Sequence, residues 1–323
     1  MPIKSLISRF NPYLRWVILA STLGFLLHSL RQNWQQVLTL QLTAHAIANL
    51  LTATGVTLLA HIWSGWVWYW VICLLDTSVG GSWSVIVYLK TNVAKYLPGN
   101  VWHFWGRIQS LKDAGTSTSV AITGVVLEPL LMAAAALGII VLNQASVTFQ
   151  SLILLAVLIG VHPRVLNPIL KRLTTAKLKQ SKLATAFSGV ELHHYPWRPL
   201  LGEVLFVLIR GSGFLLAFAA LEPVSLQHWG MILGSFSLAW LLGLIVPGAP
   251  GGLGVFEATA LALLTPQFSG AIVLGTVTLY RLVSTIAEAL GAGLAVIDEH
   301  WNLALTAFPD RADKFAACKT DRS

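Results

Sequence analysis

The stretch LIVPGAPGGLGVFEA, residues 244–258, decides how this chain is read. It lies in an apolar run long enough for a membrane helix, yet two Pro-Gly steps and further glycines interrupt it, and Glu257 follows. Proline removes a backbone donor and glycine weakens a helix. Lipid offers no water to replace the lost hydrogen bonds, so such a break survives only where protein or a wet cavity satisfies it. The stretch therefore predicts a cavity-lining break at Pro247, Gly248, Pro250, Gly251, Gly252 and Gly254. A second break of this kind, Pro98-Gly99, interrupts the apolar segment 83–111.

The rest of the chain supports a membrane setting. Of 323 residues, 55% are hydrophobic and 11% charged, and the mean hydropathy is +0.71. Soluble domains carry about a quarter charged residues. The 13 tryptophans suit the headgroup level, where indole rings collect. The net charge of +8 comes largely from loops, which points to anionic lipid headgroups rather than nucleic acid. The N-terminal MPIKSLISRFNPYLRW leads into an apolar run without a small-residue cleavage site, and it reads as a retained anchor. The chain shows no P-loop, GxSxG elbow, HExxH or dinucleotide fingerprint, so no cofactor or metal is expected.

Apolar runs near spanning length stand at 14–30, 44–75, 118–142, 148–163, 200–221 and 271–297. The segments 83–111 and 228–265 are too interrupted to read as simple helices. Positive charge sets orientation. Lys4, Arg9 and Arg15 precede the first span, and the loop 164–199 carries seven Lys or Arg against Glu191, so both are expected in the cytoplasm. Parity then makes 83–111 and 228–265 enter from opposite faces. The expected fold is all-α, with six full spans plus two re-entrant broken hairpins. It forms one transmembrane domain over 1–297, an inverted repeat with halves near 44–142 and 200–297, followed by a cytoplasmic tail at 298–323. Broken helices in matching positions of two halves mark a transporter binding site.

Ionisable residues at membrane depth are expensive and need partners or water. Lys90, Lys95, Arg107, Glu128, Arg210, Glu257, Arg281 and Glu288 fall there. Arg281 and Glu288 share one helix face two turns apart, too far to pair with each other, so each wants another partner. Glu203 and Arg210 repeat that spacing, with Glu203 near the headgroup level. Lys95 and Arg107 could instead snorkel to the interface. Guanidinium reads phosphate through two parallel hydrogen bonds, which suits a phospholipid headgroup. The free N–H groups of a half-helix after a break would suit the same anion. The glycine pairs Gly211/Gly213 and Gly291/Gly293 are expected to permit close helix contact.

Three blocks, KYLPGNVWHFWGR (95–107), PGAPGGLGVFEA (247–258) and YRLVSTIAEALGAGLAV (280–296), resemble the transmembrane region of the lysylphosphatidylglycerol synthase family. The resemblance covers roughly residues 14–297. It implies two inverted repeats with re-entrant segments and movement of a phospholipid or lipid-linked headgroup between the leaflets of the plasma membrane. It places Pro98, Gly99 and Arg107 in the first block, Pro250, Gly251, Gly252, Gly254 and Glu257 in the second, and Arg281 and Glu288 in the third. The soluble aminoacyl-transferring domain of the full synthases has no counterpart here, so no aminoacylation is implied. The expected substrate-binding residues are Arg107, Glu128, Glu257, Arg281 and Glu288. Two other functions fit the same residues: an anchor or partner of a glycosyltransferase or other envelope-biosynthesis enzyme, and an enzyme modifying a lipid.

Overall fold

The computed structural model of the protein describes residues 43–75, 79–96, 101–143, 148–168, 190–246 and 250–305, with backbone only for 148–149 and 300–305. The expected span 14–30, the break residues Pro98, Gly99, Pro247 and Gly248, most of the basic loop and the tail beyond 305 lie outside the described residues.

Within the described residues the regular structure is helical. The longer helices are α1 (Ala44–Cys73), α2 (Gly81–Asn92), α3 (Trp102–Asp113), α4 (Thr118–Asn143), α5 (Thr148–Gly160), α6 (Trp197–Ala219), α7 (Leu226–Ile245), α8 (Val255–Leu264) and α9 (Gly270–Leu305). Short 3-10 turns occupy Val93–Tyr96 and Pro250–Gly252. Five of these helices, α1, α4, α6, α7 and α9, are long and apolar enough to cross a membrane. That is the build of a membrane-embedded, multi-pass protein.

The sequence-based span count needs three corrections. The expected span 148–163 is a helix of 13 residues, about 20 Å long, against a hydrocarbon core of about 30 Å. Gly160 and Pro163 bracket a turn that ends it. The segment 228–265 was read as a broken hairpin, but its first limb, α7, has 20 residues and the length of a span by itself. The break comes after that limb, and only α8, with 10 residues, is short. Helix α9 continues through Leu305, past the expected boundary at 297. In the first broken segment both limbs are short, with 12 residues each in α2 and α3.

Small residues let the long helices approach. On α1, Ala46, Ala53 and Ala60 follow each other at seven-residue spacing and are fully buried. Against them lies α6. A Cβ placed on Gly213 would stand 2.6 Å from Thr57 Oγ1, and one on Gly202 would stand 2.6 Å from Val67 Cγ2. Trp63 Nε1 donates to the Gly202 carbonyl at 2.8 Å across the same contact. Gly211 faces Leu233 and Phe236 of α7, and Gly291 faces Leu89 and Leu58. Three of the four paired glycines thus serve close packing as expected; a Cβ on Gly293 would meet nothing within 4 Å.

One aromatic knot ties α6, α7, α8 and α9 together. Phe214, Phe236, Phe256 and Tyr280 lie 5.3–6.0 Å apart by ring centroid, mostly edge to face. Each such pair adds about 0.5–1.5 kcal/mol beyond burial.

The two broken segments meet. The turn Val93–Tyr96 touches the turn Pro250–Gly252, and a Cβ on Gly251 would lie 2.9 Å from the Tyr96 ring. Gly251, Gly252 and Gly254 hold φ of 58, 73 and 85°, in the left-handed region that side chains other than glycine avoid. Gly252 also abuts the backbone of α7, where a Cβ would come within 3.0 Å of Gly243 Cα. Gly252→Ala is therefore expected to destabilise the protein by about 2 kcal/mol, through strain plus a clash with rigid backbone. Gly115→Ala is the control, because φ there is 88° but a Cβ would meet nothing within 4 Å. Thermal unfolding in detergent should show the larger drop for Gly252→Ala.

Candidate functional site

A cavity of about 100 Å³ opens where the two breaks meet. That is room for several waters. Its wall has two characters. His61, Asn92, Lys95, Arg107, Arg210, Arg281 and Ser284 supply polar lining. Pro129, Met132, Phe206, Trp240 and Leu244, from α4, α6 and α7, supply apolar lining.

The charges arrive from six elements. Arg107 on α3 donates through Nη1 to Glu128 Oε2 on α4 at 2.7 Å, and both side chains are almost fully buried. The Arg107 guanidinium also lies flat over the Tyr88 ring, 3.7 Å from its centroid. Snorkelling is thereby ruled out for Arg107. Lys95 turns inward as well: its Nζ donates to Glu288 Oε1 at 2.6 Å. Lys90 behaves differently, being about one-third exposed and paired with Glu299 near the end of α9.

Arg281 and Glu257 build the second break. Gly254 N donates to Glu257 Oε2 at 2.6 Å, so the carboxylate three residues into the turn caps its own helix. Arg281 Nε donates to Glu257 Oε1. Its Nη1 and Nη2 donate to the carbonyls of Gly251 and Gly252 at 2.9 and 3.0 Å. The break is satisfied from within the protein. The sequence reading had offered the free N–H groups at this helix start to an anionic ligand; Glu257 occupies that place.

Glu288 is the hub on α9. Its Oε1 takes Lys95, accepts from Ser284 Oγ at 3.1 Å, and lies 3.2 Å from His61 Nε2 and 3.7 Å from Arg210 Nη2. Arg281 and Glu288 each find the separate partner their spacing demanded. Glu203, expected near the headgroups, is instead fully buried, and neither of its carboxylate oxygens has a hydrogen-bond partner.

Of the expected binding residues, Arg107, Glu128 and Arg281 line the cavity, while Glu257 and Glu288 stand one hydrogen bond behind it. Gly251 and Gly252 line it too. Sequence reasoning left out His61 and Asn92, and it places Lys95 and Arg210 at membrane depth without counting them as binding residues. The one available signal was symmetry of spacing: Glu203, Phe206 and Arg210 on α6 mirror Arg281, Ser284 and Glu288 on α9 with the charges reversed.

No family model matches the chain. It is similar to Uncharacterized protein slr0712 of Synechocystis sp., with 29% identity over 128 residues, or 39% of this chain and 35% of that protein. The matched part spans about a third of the relative's length.

Proposed function

We propose that the chain moves an anionic phospholipid or lipid-linked headgroup across the membrane, as a flippase or scramblase. One observation carries the reading. Two helix breaks, far apart in sequence, converge on a single cavity that gathers Lys95, Arg107, Arg210 and Arg281 among membrane-spanning helices. Cations at such depth mark a pathway for an anion. The ion pairs Arg107–Glu128, Arg281–Glu257 and Lys95–Glu288 brace its wall. A headgroup fits the polar lining while its chains lie along Met132, Phe206, Trp240 and Leu244. The resemblance implies two halves, and rocking of one against the other would expose the site alternately. The resemblance of the three motif blocks to the lysylphosphatidylglycerol synthase membrane region supports the same assignment, in the plasma membrane.

The test is translocation by the purified chain in liposomes carrying fluorescent phosphatidylglycerol. Protein-free vesicles lose only outer-leaflet fluorescence to dithionite. Vesicles with the protein are expected to lose inner-leaflet fluorescence as well. Identical decay in both would reject translocation and return the protein to an anchoring role.

A further inference from the structure

We propose that Arg210 is the residue that takes the substrate's phosphate, and that the substrate class is a singly charged phosphodiester lipid. This rests on the translocation reading and names its ligand.

The argument starts from which cation is left over. Lys95, Arg107 and Arg281 each have a carboxylate of their own, in Glu288, Glu128 and Glu257. Arg210 has none. Its nearest carboxylate oxygen is Glu288 Oε1 at 3.7 Å, already held at shorter range by Lys95, Ser284 and His61. Glu203 lies two turns away on α6 and outside the cavity wall; it feels the charges of Glu128 and Arg107.

Hydrogen bonds tell the same story. A guanidinium has five N–H donors. Arg210 Nη2 donates to Ser284 Oγ at 3.1 Å. Nη1 lies 3.4 Å from His61 Nε2. We assign the His61 proton to Nε2, because Asn92 Nδ2 faces His61 Nδ1 at 3.4 Å and Nε2 lies closer to Glu288 Oε1, at 3.2 Å, than to Arg210. A neutral ring accepting at Nδ1 carries its proton on Nε2 and donates it to the carboxylate. Among the described residues Arg210 Nε has no hydrogen-bond partner. Arg281, by contrast, spends donors on three protein acceptors.

Position completes the case. Arg210 lies near the middle of α6, lines the cavity and is more than nine-tenths buried, so it cannot reach an interface by snorkelling. Among the described residues the Nε–H has no acceptor, and it shares its edge of the guanidinium with Nη2, so it leaves a donor for a phosphate oxygen beside the Ser284 contact. One unmatched positive charge suits one negative charge, which a phosphodiester carries. The apolar wall beside it selects a lipid over free phosphate: Phe206 is one turn from Arg210 on α6, and Met132 and Trp240 continue the surface.

The test measures binding to the full chain in detergent, with dihexanoyl phosphatidylglycerol, dihexanoyl phosphatidylcholine and inorganic phosphate as probes. Both lipids carry the phosphodiester anion, but phosphatidylcholine adds an ammonium that cancels its net charge and faces the cavity's cations, so phosphatidylglycerol is expected to bind roughly tenfold more tightly, a preference that needs the unmatched charge of Arg210. Arg210→Gln should erase that preference, and Arg210→Lys should keep part of it. Inorganic phosphate should not compete at equal concentration. Equal affinity for the two lipids, an unchanged preference in Arg210→Gln, or competition by phosphate as strong as that of the lipid would each overturn the proposal. If Arg210→Gln does not fold, the wild-type lipid preference and Arg210→Lys decide. Arg210-dependent binding without translocation in liposomes would sink the transport reading alone. Equal translocation by wild type and Arg210→Gln would sink only the role of Arg210.

Discussion

Arg281→Ala is expected to unfold the second break, lowering stability by about 3 kcal/mol and abolishing translocation with it. Removing one partner of a buried ion pair costs about 3–5 kcal/mol, because the other charge is stranded. The lower end applies because the Arg281 side chain is 21% exposed. Three acceptors lose their donor together: Glu257 and the carbonyls of Gly251 and Gly252. Those carbonyls belong to residues with positive φ. Glu257→Gln should cost less. Its amide oxygen still accepts from Gly254 N, so the helix cap survives while the charge pair is lost. Unfolding midpoints in detergent check both. If Arg281→Ala melted like wild type yet failed to translocate, Arg281 would be a substrate contact and not a brace.

The same comparison separates what the sequence could tell from what it could not. The second break was legible at Gly251, Gly252 and Gly254, since Gly acts locally and the chain around it is apolar. Close helix contact at Gly211, Gly213 and Gly291 was legible for the same reason. So was the demand that Arg281 and Glu288 find other partners, which follows from helical spacing. The self-cap was present in the spacing from Gly254 to Glu257, but it was masked by the thought that a free helix start wants a ligand. The early end of α5 was written at Gly160 and Pro163, inside a run whose hydropathy alone reads as a span. The identity of the unmatched cation was not legible. Arg210 meets His61 across 149 positions and Ser284 across 74, and no local pattern encodes such meetings. Only the packing of α1, α6 and α9 around one point shows that Glu288 has been claimed by Lys95 and that Arg210 is left facing the cavity.

Arg107 and Glu128 should behave as a coupled pair whose joint removal is milder than the loss of either. Both are almost completely buried, and Glu128 Oε1 has no partner beyond the pair. Arg107→Met would strand the carboxylate and should cost about 4 kcal/mol; Glu128→Leu would strand the guanidinium at similar cost. The double variant leaves no buried charge there. Met can keep the contact of the Arg107 side chain with Tyr88 and Trp68, and Leu resembles its neighbours Leu127 and Leu131 in size. Replacement of a buried pair by well-packed apolar groups is often neutral. With each single change costing about 4 kcal/mol and the double variant less than either, the double-mutant cycle is expected to give a coupling energy above about 4 kcal/mol. Translocation supplies the second readout. As a brace between α3 and α4, the pair should be replaceable, and the folded double variant should still move lipid. A stable double variant that moves none would place Arg107 or Glu128 on the path of the headgroup, beside Arg210.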